Sequence, residues 1–293
     1  MKLSDELNSF YDKYIKINKK RFEDTKAHRT ALENFISNNV EYKSCIYQGS
    51  FSYNTVIKPD PNSDDEYDVD LAIRLEKNED REEEDKYHNL LIDAFDGSTL
   101  YKDKLDTSKE RAIRINYDAN DEFHVDLVPT ITHDENQHVI CVEDRDNPNP
   151  ELEISGEEFK DWINEQNNNT TDENNNKKLK KVIQIYKYLK NAKFDIRSVQ
   201  LTLFIARQVD EIERNNVNSL SELYKIANEL NNELANIYIL SQFDLSNPLS
   251  DEKFDRNITQ TSFLEFKNSI VDLNDAIIDA YENDDEDESL ERK

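Results

Sequence analysis

Hydrophobic positions change their period along this chain, alternating in short runs through the first half and recurring at helical spacing in the second. Tyr67, Val69, Leu71, Ile73 and Leu75 alternate with polar positions, so Asp68 and Asp70 share the opposite face of a predicted strand. Phe123, Val125 and Leu127 repeat the pattern, with Asp126 opposite. Tyr42–Tyr47, Arg111–Tyr117 and His138–Val142 read as further strands, and Asp118–Glu122 as a hairpin turn. That hairpin brings Arg111 or Arg114 near the acidic strands, either to order a carboxylate or to line the sheet. Leu3, Leu7, Phe10, Tyr14 and Ile17 recur in steps of four and three, which predicts a long N-terminal helix. Its stripe resumes at Leu32, Phe35 and Ile36 and ends at Asn38-Asn39. A shorter helix is predicted over Tyr87–Phe95.

Beyond residue 176 the pattern is helical, over 179–190, from 196 onward, over 219–240 and over 262–281. Residues 164–176 crowd Asn, Gln and Thr with no apolar period and read as a flexible connection or surface loop. The last dozen residues are mostly charged and are expected to be disordered. Strands first and helices afterwards predict an α+β fold of two lobes. Residues 1–165 would form a mixed-sheet lobe with the N-terminal helix, 166–281 a helical lobe, and 282–293 an acidic tail.

Charge and cysteine content narrow the function classes. The chain has 293 residues, a formal net charge of −27 and a sequence pI near 4.5. Such a surface repels nucleic acid unless basic residues are segregated. Lys13, Lys16, Lys19, Lys20, Arg21, Lys26 and Arg29 could form a patch for polyphosphate or RNA, although a solvated helix face is the simpler account. Two cysteines, Cys45 and Cys141, make neither a disulfide framework nor a zinc motif and read as core residues. No apolar run approaches a membrane span, so a cytoplasmic protein is expected.

Candidate chemistry gathers at two places. Glycine is scarce, with three in the chain, yet Gly49-Ser50 forms a corner some distance upstream of the first acidic strand. Glycine permits tight turns and close approach of the backbone to a ligand, and Ser50 offers a hydroxyl and an N–H to phosphate oxygens. If the two acidic strands are neighbours, Asp68, Asp70 and Asp126 converge, and hard divalent cations such as Mg²⁺ suit such an oxygen cluster. Asp64 and Asp65 fall in the Pro-rich loop 58–66 and read as solvated. His124, on the same face as Asp126, reads as structural.

Gly49-Ser50, then Asp68-x-Asp70, then Asp126 within an apolar strand is the signature order of polymerase-β-like nucleotidyltransferases. Gln48-Gly49-Ser50-Phe51, Tyr67-Asp68-Val69-Asp70-Leu71 and His124-Val125-Asp126-Leu127-Val128-Pro129 resemble, more narrowly, the bacterial relatives of cyclic GMP–AMP synthase and oligoadenylate synthetase, the CD-NTase family. The resemblance implies a bilobal fold with the nucleotide between the lobes. Asp68, Asp70 and Asp126 would be catalytic and would hold two Mg²⁺ ions, with Mn²⁺ as a substitute. Gln48, Gly49 and Ser50 would bind nucleotide, joined by Lys187 and Ser198 from the helical lobe. Val199 stands where cyclic GMP–AMP synthase has a stacking tyrosine. The implied reaction joins nucleoside triphosphates into a cyclic di- or trinucleotide with pyrophosphate release, in anti-phage defence. The alternatives are nucleotidyl transfer to RNA or protein and a catalytically silent binding module of the same fold. Implied partners are nucleoside triphosphates and a regulatory protein or RNA activator, with no membrane, for a monomeric protein.

Overall fold

The computed structural model describes residues 2–59, 67–76, 84–109, 112–117, 123–132, 138–140, 152–153, 156–171, 176–191, 196–209, 219–249 and 258–291. Asp64, Asp65, Arg111, the hairpin turn 118–122 and Cys141 lie outside them. The chain divides into two compact units, one of residues 17–53 and 61–160 and the other of residues 1–16, 54–60 and 161–293.

The first unit is built on a mixed sheet. Its elements are helix α2 (Lys19–Asn39), β1 (Tyr42–Tyr47), the short α3 (Gly49–Ser52), β2 (Tyr67–Leu75), α4 (Glu84–Asp96), β3 (Leu105–Asp106), β4 (Ile113–Asn116), β5 (Phe123–Thr132), β6 (His138–Ile140) and β7 (Leu152–Glu153). Strand order is β1-β2-β5-β4-β3, with β6 pairing the far end of β5 and β7 pairing β6. The two acidic strands β2 and β5 are parallel neighbours at its centre, and the remaining pairings are antiparallel. Val69, Leu71, Ile73 and Leu75 are buried with Val125 and Leu127, as the alternation requires. Fully burying each such side chain is worth about 1.5–3 kcal/mol. His124, Asp126 and Ala72 are buried on the opposite face, so this strand pair is covered on both sides. Helices α2 and α4 pack through Phe35, whose ring lies 4.9 Å from Phe95 and 5.0 Å from Tyr101.

The second unit is helical. It contains α1 (Lys2–Phe10), most of α5 (Gly156–Asn169), α6 (Leu179–Asn191), α7 (Ser198–Arg207), α8 (Ser219–Ala235) and α9 (Gln260–Glu291). Helix α7 is the core element, with Leu201 through Ala206 all buried and Phe204 edge-on to Phe243 at 5.1 Å. A polar chain runs from this core to the half-buried Asn231. Tyr186 Oη donates to Asn274 Oδ1 at 2.6 Å, and Asn274 Nδ2 donates to Asn231 Oδ1 at 2.8 Å.

Three sequence expectations are corrected. The N-terminal stripe is not one helix, because α1 passes into a π-helical turn over Tyr11–Ile15 and then an extended Lys16. Asn18 starts α2 afresh, its side chain accepting from the Arg21 N–H at 2.8 Å. The break divides the two units. Residues 164–169, expected to be loop, complete α5. Their amides are used structurally: Asn167 Oδ1 accepts from Lys180 N, and Thr170 Oγ1 accepts from Lys178 N and Leu179 N, capping α6. The acidic tail, expected to be disordered from 282, is helical in its backbone to Glu291. Extending an existing helix adds one hydrogen bond per residue fixed, without a new nucleus.

Candidate active site

Register on the sheet assembles the acidic cluster. Asp70 lies directly across from Asp126 on the parallel strand pair β2–β5, and Asp68 lies across from His124. The backbone therefore places Asp68, Asp70 and Asp126 at one end of two hydrogen-bonded strands, the arrangement expected if those strands are neighbours. The described side chains supply two of these carboxylates, Asp70 and Asp126, and no group of three possible metal ligands is gathered among them.

The Gly-Ser corner closes over this end. Gln48 N donates to Asp70 O at 2.8 Å, fixing the corner to the acidic strand. Gly49 has φ +57°, and a Cβ there would lie 2.6 Å from Asp70 Oδ2. Both facts favour glycine, the first because side chains disfavour left-handed backbone and the second because a Cβ would push the Asp70 carboxylate aside. Ser50 follows as the second residue of α3, and Phe51 anchors that turn in the core, stacked on Phe22 and Tyr47. Just beyond, Tyr53 is buried, with its ring edge-on to Phe159 at 5.8 Å. Burial, and secondarily the charge of Asp70, pushes its hydroxyl pKa up.

Asp126 is 7 % exposed and held by two cations. Arg114, directly across on β4, donates from Nε to Oδ1 at 2.7 Å and from Nη2 to Oδ2 at 2.9 Å. Lys109 Nζ donates to Oδ2 at 2.9 Å. Burial alone would raise the Asp126 pKa, but the hydrogen bonds and charges of Arg114 and Lys109 outweigh it and hold the carboxyl below its ordinary value. Of the two roles open to Arg114 in the sequence, the structure selects the ordering of a carboxylate. Lys109 was not legible, because its partner is 17 residues away across a loop and no periodicity marks it.

Lys187 and Ser198 lie in the helical unit. Lys187, on α6, is 2 % exposed, and its Nζ donates to Thr55 Oγ1 at 2.8 Å and to Thr55 O at 3.3 Å. Burial, and secondarily the charge of Lys190, lowers its pKa from 10.5 to about 7. Neighbouring bonds fasten the same segment: Gln184 Nε2 donates to Val56 O at 2.7 Å, and Lys58 N to Ile15 O at 2.8 Å. Ser198 is exposed at the start of α7 but does not cap it. Arg197 is the capping position, its N–H donating to Gln200 Oε1 at 2.8 Å. Among the described residues no helix is long and apolar enough to cross a membrane.

The donor set suits a hard divalent cation, with carboxylate oxygens on adjacent strands and a glycine corner that keeps Asp70 Oδ2 uncrowded. Comparisons with known proteins agree with this architecture. The profile of the Second Messenger Oligonucleotide or Dinucleotide Synthetase domain matches residues 1–167. No curated protein sequence matches the chain. Among solved structures, Escherichia coli CdnC in its HORMA complex aligns with a TM-score of 0.69 at 15% identity, covering 94% of this chain and 90% of that one. Bradyrhizobium diazoefficiens CdnG, a CD-NTase solved with GTP, aligns at 0.70 and 13% identity over 92% and 89% of the two chains. Escherichia coli DncV with 3′-deoxy GTP aligns at 0.68 and 14% identity over 93% and 90%. With its synthetase domain matched over more than half its length and the polymerase-β-like fold throughout, the chain belongs to the Second Messenger Oligonucleotide or Dinucleotide Synthetase family, the nucleotidyltransferases known as CD-NTases that make cyclic oligonucleotide signals.

Proposed function

We propose that this chain joins nucleoside triphosphates into a cyclic di- or trinucleotide with release of pyrophosphate, that the reaction depends on Mg²⁺ with Mn²⁺ as a substitute, and that the product signals in anti-phage defence. The observation that carries the reading is the pairing of Asp70 with Asp126 on adjacent parallel strands beneath a left-handed glycine corner. Asp68, two residues before Asp70 on β2, would complete the ligand set for the ions with Asp70 and Asp126. Held by these carboxylates, divalent cations would supply acidification of the attacking 3′-hydroxyl and charge neutralisation of the leaving pyrophosphate.

The residues of this chain supply position and charge. Arg114 fixes the Asp126 carboxylate through two parallel hydrogen bonds. Gly49 lets the backbone approach the triphosphate, with Gln48 and Ser50 beside it. Lys187 and Ser198 are assigned to the phosphates on the resemblance. For Lys187 this requires that Nζ leave Thr55, which a triphosphate favours by stabilising the charged amine. Catalysis in phosphoryl-type transfer rests on such positioning and electrostatics, so no protein nucleophile is needed.

An activator is part of this reading. Escherichia coli CdnC was solved in complex with a HORMA protein, and a protein of that kind, or an RNA, is the partner class proposed here. Incubation with radiolabelled triphosphates and Mg²⁺ tests the reaction type. A small phosphatase-resistant product supports synthesis of a cyclic messenger, whereas label fixed to RNA or protein would assign the chain to nucleotidyl transfer onto macromolecules.

A further inference from the structure

The two cations on Asp126 are held differently. Arg114 stands on a strand in direct register with Asp126, its side chain is 19% exposed, and it engages both carboxylate oxygens. Lys109 stands in the connection after β3, its side chain is 40% exposed, and it makes one bond to Asp126, at Oδ2. A guanidinium fork is geometrically committed to a carboxylate, while an ammonium on a flexible stem is strongly hydrated and easily exchanged. A carboxylate offers about four lone-pair sites, two on each oxygen. Arg114 and Lys109 together take both sites of Oδ2 and one of Oδ1. One site of Oδ1 stays open, but an ion that takes Oδ2 does so only as one cation departs, and Lys109 is the less firmly held of the two.

We infer that Lys109 is a displaceable stand-in for a divalent cation at Asp126, occupying Oδ2 when metal is absent and thereby setting the metal affinity of the site. Arg114 is the positioning residue that keeps the carboxylate in place in both states. The inference rests on the metal-site reading above and extends it: binding of a metal ion at Oδ2 is an exchange of ammonium for ion. The exchange releases a positive charge from beside the incoming one, so neutralising residue 109 strengthens metal binding although it removes no ligand.

Manganese titration followed by electron paramagnetic resonance, on the full chain at low salt without nucleotide, reads this directly. Lys109→Met and Lys109→Gln are expected to bind Mn²⁺ about tenfold more tightly than wild type, equivalent to about 1.4 kcal/mol. Lys109→Arg is expected to bind no more tightly than wild type, because it keeps the charge and gains a fork. Asp70→Asn locates the ion and should weaken Mn²⁺ binding. Unchanged or weaker Mn²⁺ affinity in both neutral variants, with Asp70→Asn still impairing binding, overturns the stand-in role alone. Mn²⁺ binding indifferent to Asp70→Asn overturns the metal-site reading and this inference with it.

Discussion

Replacing Lys187 by Met is expected to stabilise the protein, by an amount that depends on pH in a defined direction. The lysine and its acceptor Thr55 are both buried, and burial lowers the amine from 10.5 to about 7. Between those two pH values the unfolded chain holds a proton that the folded chain lacks, so wild-type stability rises with pH across this window. The slope from this one group is about 1.4 kcal/mol per pH unit. Below about pH 7 the ammonium is charged in both states and the fold carries the whole burial cost, on the order of 4–5 kcal/mol. Methionine removes that cost but leaves two buried Thr55 oxygens without this donor, a loss of about 1–3 kcal/mol. The variant should therefore be more stable than wild type by roughly 1–4 kcal/mol near pH 6. Its advantage should shrink steadily as pH rises from about 7 toward 10. Urea denaturation of both proteins at stepped pH checks this, since other titrating groups cancel in the difference. Parallel stability curves would refute the buried, largely neutral amine. The same residue links stability to function. If a triphosphate claims Lys187, nucleotide binding near pH 8 takes up a proton, seen by calorimetry in two buffers of different ionisation enthalpy. Wild-type affinity in Lys187→Met would remove Lys187 from the phosphate set.

Asp70→Asn should abolish synthesis while the circular dichroism spectrum and folding midpoint hold or rise, because it removes a negative charge facing Asp126; appreciable turnover by the variant would refute its role. Gly49→Ala should cost about 1–2 kcal/mol in denaturation for its left-handed backbone. Its Cβ would also displace Asp70, so turnover should fall by more than stability explains; full activity would show that the corner tolerates a side chain. Ser198→Ala should weaken binding of a non-hydrolysable triphosphate by about 0.5–1.5 kcal/mol, as loss of one neutral hydrogen bond, measured by calorimetry. Thr170→Val should destabilise the helical unit by about 0.5–2 kcal/mol, since its Oγ1 accepts from two backbone N–H groups at the start of α6; an unchanged denaturation midpoint would refute that cap.

The acidic strands were legible because period-two alternation is a local property. Tyr67–Leu75 and Phe123–Val128 each declare their buried face without reference to the rest of the chain. Parallel pairing of those strands then followed only as a condition, and register supplied it. What the pattern missed was set by distant partners or by side-chain hydrogen bonds. Lys109 carries no periodic signal and finds Asp126 through a loop. Gln166, Asn167 and Thr170 look like linker composition, yet they are buried and bonded at the junction of two helices. Lys187 sits in an amphipathic helix where lysine usually faces water, yet it is buried and bonded to Thr55, a partner 132 residues away. The break at Asn18 rests on one cap that a smooth apolar stripe conceals.

The decisive experiment is mass spectrometry of the products formed from all four nucleoside triphosphates with Mg²⁺. The wild-type chain should yield a cyclic di- or trinucleotide and stoichiometric pyrophosphate, and Asp70→Asn neither. Absence of pyrophosphate release in every mixture of triphosphate, Mg²⁺ or Mn²⁺ and candidate activator, or equal product from Asp70→Asn, would contradict the proposed reaction.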